Sequence, residues 1–237
     1  ISVGNRAFHY ADGFFESIRV VNGKPCFLDS HFSRIEESIN AYSMDKDGFS
    51  RDKLKKEILE LLDKNEITQG GRIRITFSRK ADGYYSPNAN TIEYCIEAYP
   101  LENNYYHLND EGKTIDIYPE MQKQINSLSM YKNLSSSLFI LASLYAKQKN
   151  IDISLINNYK GTIIEATNAN IFIVSNRVLY TPSLADGPTA GTMRMNVINI
   201  ALENGLKTYE CVLNPQYLLT ADEVFLTNAI EGITWVS

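Results

Sequence analysis

The sequence predicts an α+β protein built of two units, the second rich in antiparallel strands. Three observations carry that reading. Short runs alternate apolar and polar residues between turn-forming dipeptides, and longer runs repeat apolar residues at helical spacing. A polar stretch near the middle follows neither pattern, and at 237 residues the chain is long enough for two modest cores.

The first half alternates elements. "FFESIRVVNGKPCFLD" reads as two strands joined by Asn22-Gly23, a pair that tolerates positive φ between β-branched runs. "DSHFSRIEESINAYSM" reads as a helix capped by Asp29 or Ser30, with Phe32, Ile35, Ile39 and Tyr42 on one face. A second helix covers "SRDKLKKEILELLDKN", apolar at Leu54, Ile58, Leu61 and Leu62. After Gly70-Gly71, "RIRITFSR" and "TIEYCIEAYP" alternate as strands around the loop "KADGYYSPNAN". The polar connector "LENNYYHLNDEG" is the best boundary, giving a small domain at 1–104, a connector at 105–112 and a larger domain at 113–237.

The second half opens with a strand, "KTIDIYPE", and an irregular segment up to Lys132. A helix over 134–148 follows, striped by Leu134, Leu138, Leu141 and Tyr145. "DISLINN", "TIIEATNANIFIVSN" and "RVLYTP" read as strands separated by tight turns such as Tyr159-Lys160-Gly161. "AGTMRMNVINIALENG" is a helix entered through small residues and closed by a C′ glycine, Gly205. "KTYECVL", a short helical "NPQYLLTA" and "EVFLTNAIEGITWV" complete the chain.

Bulk properties narrow the function. A net charge of −5 without a concentrated Lys/Arg block argues against a nucleic-acid or anionic-membrane partner. Cys26, Cys95 and Cys211 are scattered in strand-like surroundings, as expected of reduced, buried thiols in a cytoplasmic protein. No run is long enough to span a membrane, and no signal peptide opens the chain. The abrupt start at "ISVGNRAFHY" and the stop at "ITWVS" suggest further elements at both ends of the full gene product. His9, His31 and His107 lie in unrelated contexts, so no metal site is expected. Neither a nucleophile elbow nor a P-loop is present.

Three features could carry chemistry. Lys132 sits just ahead of an apolar helical run with no acid near it in sequence, although alone it also reads as a snorkelling surface lysine. Glu165 lies among Ile163, Ile164 and Ala166, where burying a carboxylate is costly unless a cation or proton donor meets it. By itself it could also be an edge-strand acid. "AGTMR" puts small residues and a threonine at a helix start, suited to a phosphate or simply to a cap. Together, an amine for a Schiff base, a carboxylate for a ring nitrogen and a phosphate cradle meet three requirements of pyridoxal 5′-phosphate.

Order and wording add to this. "HYADGFFESIRVVNGKPCFLDSHFSRIEES", "KNLSSSLFILA", "GTIIEATNANIFIV", "LYTPSLADGPTAGTMR" and "ADEVFLTNA" follow one another across nearly the whole chain. In these blocks the sequence resembles the fold-type IV, or class IV, pyridoxal-phosphate enzymes. That family includes branched-chain aminotransferases, D-amino-acid aminotransferases and 4-amino-4-deoxychorismate lyases. The resemblance implies their two-domain fold, with a small N-terminal α/β domain and a larger strand-rich C-terminal one. It implies Lys132 as the Schiff-base lysine and Glu165 as the partner of the pyridine nitrogen. Arg34 matches a phosphate-clamping arginine, and Thr192 and Met193 match the helix-start residues whose N–H groups bind phosphate. Asn228 matches a side chain against the same phosphate, with Thr227 beside it. Tyr10 falls where the family places an aromatic residue near substrate, and Asn170 is read as a structural turn or strand-pairing residue. A homodimer is also implied.

The reaction is balanced between branches. "GTMR", "TNA" and the chain's compactness lean toward the lyase. Tyr84, where lyase-like relatives often carry an arginine, and Glu16 lean the other way, with Arg72, Arg74 and Arg79 left as candidates for a substrate carboxylate. The expectation is amino transfer between a branched-chain-like or D-amino acid and a 2-oxo acid. Pyruvate release from aminodeoxychorismate is the alternative, and a catalytically idle, cofactor-binding family member the second alternative.

Overall fold

The computed structural model describes residues 2–237, which divide into two compact units. One comprises residues 2–105 and Tyr131–Ser135, the other Tyr106–Met130 and Ser136–Ser237. The short excursion at Tyr131–Ser135 carries Lys132 into the first unit.

In the first unit, α1 (Arg6–Tyr10) precedes β1 (Gly13–Val21), β2 (Lys24–Pro25), β3 (Gly71–Arg79) and β4 (Ile92–Pro100). The strands form one antiparallel sheet in the order β2-β1-β3-β4. The expected turn is present, with Asn22 and Gly23 at φ 50° and 67°, the left-handed pair a two-residue hairpin requires. Two helices, α2 (Leu28–Ala41) and α3 (Arg51–Lys64), follow the predicted apolar spacing. Phe32, Ile35, Ile39, Leu54, Ile58 and Leu62 bury against Phe14, Ile18, Ile73, Ile75 and Phe77 of the sheet. Each such side chain contributes about 1.5–3 kcal/mol by leaving water. Ser50 caps α3 by accepting a bond from the Lys53 N–H. The start of α2 departs from expectation: Phe27, at φ 52°, is the boundary residue, so Asp29 and Ser30 lie inside the first turn.

The second unit holds two sheets. The three-stranded one runs β5 (Ile115–Ile117), β6 (Ile153–Asn157), β7 (Ile163–Ala166). Its β5 and β6 are parallel, a pairing that needs a crossover, and α4 (Ser137–Lys149) lies on that connection. The helix starts three residues later than its apolar stripe suggested. Asn133 and Leu134 are taken up beside β1 instead, by a bridge to Phe14 and a Leu134 N–H bond to the Gly13 carbonyl. The other sheet contains β8 (Asn170–Ser175), β9 (Val178–Pro182), β10 (Thr208–Cys211), β11 (Glu223–Asn228) and β12 (Gly232–Trp235). Its order is β10-β9-β8-β11-β12, antiparallel except for the β9–β10 pair. Helix α5 (Thr192–Glu203) packs on this sheet through Met193, Val197, Ile198 and Ala201 against Phe172 and Leu179, and Gly205 follows its end at φ 72°.

The cysteines are free but not buried as expected: Cys95 is exposed on the outer edge strand β4, and Cys26 and Cys211 are half-buried. No helix of the described residues is long and apolar enough to cross a membrane. Among those residues no cluster of His, Cys, Asp and Glu could hold a metal.

Candidate active site

Strand β7 is buried along its whole length, and that burial explains how Glu165 is held. Its carboxylate is 3% exposed, so both oxygens need partners. Lys123 Nζ donates to Oε1 at 2.5 Å, and the Thr189 N–H donates to Oε2 at 2.8 Å. Lys123 is itself fixed by its backbone. Its N–H donates to the Asn157 carbonyl at 2.9 Å, and its own carbonyl accepts from the Tyr159 N–H at 3.2 Å. The ammonium also lies 5.6 Å from the Phe139 ring centroid. Nothing in "PEMQKQIN" distinguished Lys123 from a surface lysine; the one available clue was that Glu165 required a cation.

The chain from Thr189 continues into the start of α5. Asn170 donates from Nδ2 to the Thr189 carbonyl at 2.7 Å, a tie consistent with the structural role expected of it. Gly191 is the boundary residue of α5, and a Cβ there would lie 2.0 Å from the Asn170 carboxamide oxygen. Only glycine fits, so no side chain caps the helix, and the N–H groups of its first turn have no partner within the helix. The Thr192 hydroxyl at this point is buried with no hydrogen-bond partner, and so is that of Thr227 on β11, the strand against which α5 packs. Buried, unsatisfied hydroxyls are rare in native proteins. Two of them beside an uncapped helix start fit an anionic oxygen cluster such as a phosphate. Met193 points its side chain into the apolar cluster beneath, which leaves only its N–H available.

The Asn228 side chain is engaged within its own turn. Its Oδ1 accepts from the Ile230 and Glu231 N–H groups at 2.9 and 2.8 Å, and its Nδ2 donates to Glu231. The short polar side chain closes the turn into β12, whereas the hydroxyl of its neighbour Thr227 has no partner.

Lys132 is half-buried in the first unit. Its carbonyl accepts from the Phe15 N–H at 2.8 Å, and its Nζ lies 5.3 Å from the Phe15 ring centroid. Arg74, which pairs across the sheet with Ser17, stacks on the same ring at 4.0 Å. Burial and the neighbouring Arg72 charge push the Arg74 guanidinium down from its usual range. Arg79 takes no part in this group: it bonds Asp12, Asn90 and the carbonyls of Tyr42 and Ser43.

Arg34 is buried on α2. It grips Glu16 of β1 through Nε and Nη2 at 2.7 and 2.6 Å, and His31 Nδ1 meets the same carboxylate at 2.7 Å. Burial alone would push the Glu16 carboxyl up; the Arg34 charge and the bonds from His31 and Arg34 outweigh it and hold it at about 2. Tyr10 ends α1 half-buried, its ring 4.9 Å from the Arg6 guanidinium and 5.7 Å from the Tyr85 ring.

An uncapped helix start with orphaned hydroxyls thus lies next to a loop that also reaches a buried carboxylate. Residues 13–237 match the class IV amino-transferase family, and the chain belongs to it. It is 26% identical to the D-alanine aminotransferase of Bacillus licheniformis, over 96% of this chain and 79% of that one. It is 27% identical to the aminodeoxychorismate lyase of Bacillus subtilis, over 97% and 78%. The crystal structure of the branched-chain aminotransferase from Thermoproteus uzoniensis superposes with a TM-score of 0.90 at 26% identity, covering 100% of this chain and 80% of that one. Family members are pyridoxal-phosphate-dependent aminotransferases or aminodeoxychorismate lyases.

Proposed function

We propose that this protein is a pyridoxal-phosphate-dependent aminotransferase that moves an amino group between a branched-chain-like or D-amino acid and a 2-oxo acid. The observation that supports it most is the buried Glu165 carboxylate, held by one ammonium and one backbone N–H, with lone pairs left for a further donor. When bound, the cofactor supplies a ring that withdraws the electron pair left on the substrate α-carbon. Glu165 accepts the ring N–H. Lys132 Nζ would hold the cofactor through its aldehyde carbon, and the same amine would be the base for the substrate α-proton. The Thr192 and Thr227 hydroxyls and the Thr192 and Met193 N–H groups donate to the phosphate. Arg34, kept in one rotamer by Glu16, adds a guanidinium edge to that set. Tyr10 lines the substrate's path. The active species is a homodimer in the cytoplasm, with residues 1–104 and 113–237 as its small and large domains.

The lyase reading stays in play because the Bacillus subtilis lyase is as similar to this chain as the D-alanine aminotransferase is. One preparation tests both. Borohydride reduction of the yellow holoprotein, followed by peptide mapping, should place the cofactor on Lys132; a label on Lys123 overturns the assignment. The same protein should then transfer amino groups from branched-chain or D-amino donors. Pyruvate release from aminodeoxychorismate without transfer would establish the lyase instead.

A further inference from the structure

Lys123 has no assigned part in the chemistry above, yet it is the group nearest the Glu165 carboxylate. Its side chain is 10% exposed and that of Glu165 is 4% exposed, so the charges meet in surroundings where water screens them weakly. The contact is not an accident of a flexible side chain, because the Lys123 backbone is bonded on both sides to the Asn157–Tyr159 segment. The buried acid therefore has a resident counter-cation before any ligand arrives.

We infer that Lys123 is a positioning residue that shares the Glu165 charge and so sets how strongly this carboxylate favours a protonated ring nitrogen. The inference rests on the reading that Glu165 meets that nitrogen. A protonated ring brings a second cation to a carboxylate already paired, and the two cations repel. With Lys123 neutral in charge, the ring N–H would be the sole counter-cation of a buried acid, and the preference for a protonated ring would rise. The native lysine thus moderates the pair while compensating the acid in the cofactor-free protein.

Binding of two probes to the cofactor-free protein tests this without recourse to turnover. One is pyridoxal phosphate; the other is its 1-deaza analogue, in which a C–H replaces the ring nitrogen. Lys123→Gln should raise the ratio of the analogue's Kd to the cofactor's Kd at least tenfold, and Lys123→Arg, which keeps the charge, should leave it within about threefold of the native value. A lysine that merely supports the fold would shift both Kd values together, and an unchanged ratio in Lys123→Gln overturns the inference. Lys123→Met, a neutral and unbranched side chain one atom shorter, serves if the glutamine variant does not fold, with the same criterion. A tenfold rise in Lys123→Arg would also overturn it, since charge would then not be the cause. Glu165→Gln separates the two levels: it should collapse the native ratio toward one. If it does not, the reading of Glu165 fails; if it does while the neutral Lys123 variants change nothing, only the present inference fails.

Discussion

Two buried carboxylates, Glu16 in the first unit and Glu165 in the second, are solved in opposite ways. Glu16 is 1% exposed and receives three side-chain donors, with a bidentate arginine across both oxygens and a histidine on one of them. Glu165 is 3% exposed and receives one ammonium and one backbone N–H. A carboxylate offers about four acceptor positions. Glu16 is enclosed by partners that fix it and that it fixes in turn, which holds the Arg34 guanidinium in place. Glu165 is compensated but keeps acceptor capacity, which suits an acid that must take a proton donor from a ligand. Equal burial thus says little about role; the number and kind of donors discriminates.

The sharpest way to break this contrast is to neutralise each acid in turn. Glu165→Gln should lower amino transfer at saturating cofactor by about a thousandfold, roughly 4 kcal/mol of transition-state stabilisation. Steady-state kinetics on the loaded enzyme measures it, and a variant that keeps native kcat would remove Glu165 from the chemistry. Glu16→Gln should leave kcat at saturating cofactor within about tenfold, while weakening cofactor binding and costing about 3–5 kcal/mol of stability by leaving the Arg34 charge buried without its partner.

The Glu16 cluster also predicts a pH dependence with a definite sign. Its folded pKa is depressed, to about 2 from 4.5, so the carboxylate stabilises the fold above the unfolded value. That contribution, about 3 kcal/mol, is lost as pH falls from about 4.5 toward 2. Urea unfolding of the native protein across this window should show the loss, and Glu16→Gln should lack that component. An identical acid slope in both would mean that Arg34 and His31 do not hold Glu16 in its charged form.

The contrast was only partly legible in the sequence, and each part has a physical reason. Local rules placed the Asn22-Gly23 turn, α3 and the Gly205 helix end, because residues within a few positions decide those features. Glu165 stood out because its own neighbours are apolar. Its partner did not: Lys123 is 42 residues away, and its burial depends on a bridge to the Asn158 segment that no local pattern encodes. The resemblance marked Arg34 as a phosphate clamp, but its tie to Glu16 could not be read locally because that partner lies on β1. Leu134 fitted the α4 stripe by spacing, but the strand-like pairing of Asn133 with Phe14 prevailed over helical periodicity.

The smallest expected effect concerns the orphaned hydroxyls and turns on the sign in two states of one protein. Thr227→Val keeps the shape of the side chain and removes a buried hydroxyl that has no partner. A buried polar group without a bond costs stability, so the cofactor-free variant should be as stable as the native protein or more stable by about 1 kcal/mol. If the hydroxyl donates to a bound phosphate, the same change should weaken pyridoxal phosphate by roughly five- to tenfold, about 1 kcal/mol of lost hydrogen bonding. Thermal unfolding of the cofactor-free protein and titration with the cofactor read the two effects separately. Opposite signs are the signature of a group held ready for a ligand; a loss of stability without change in affinity would make Thr227 an ordinary packing residue and leave the phosphate to the α5 N–H groups and Thr192.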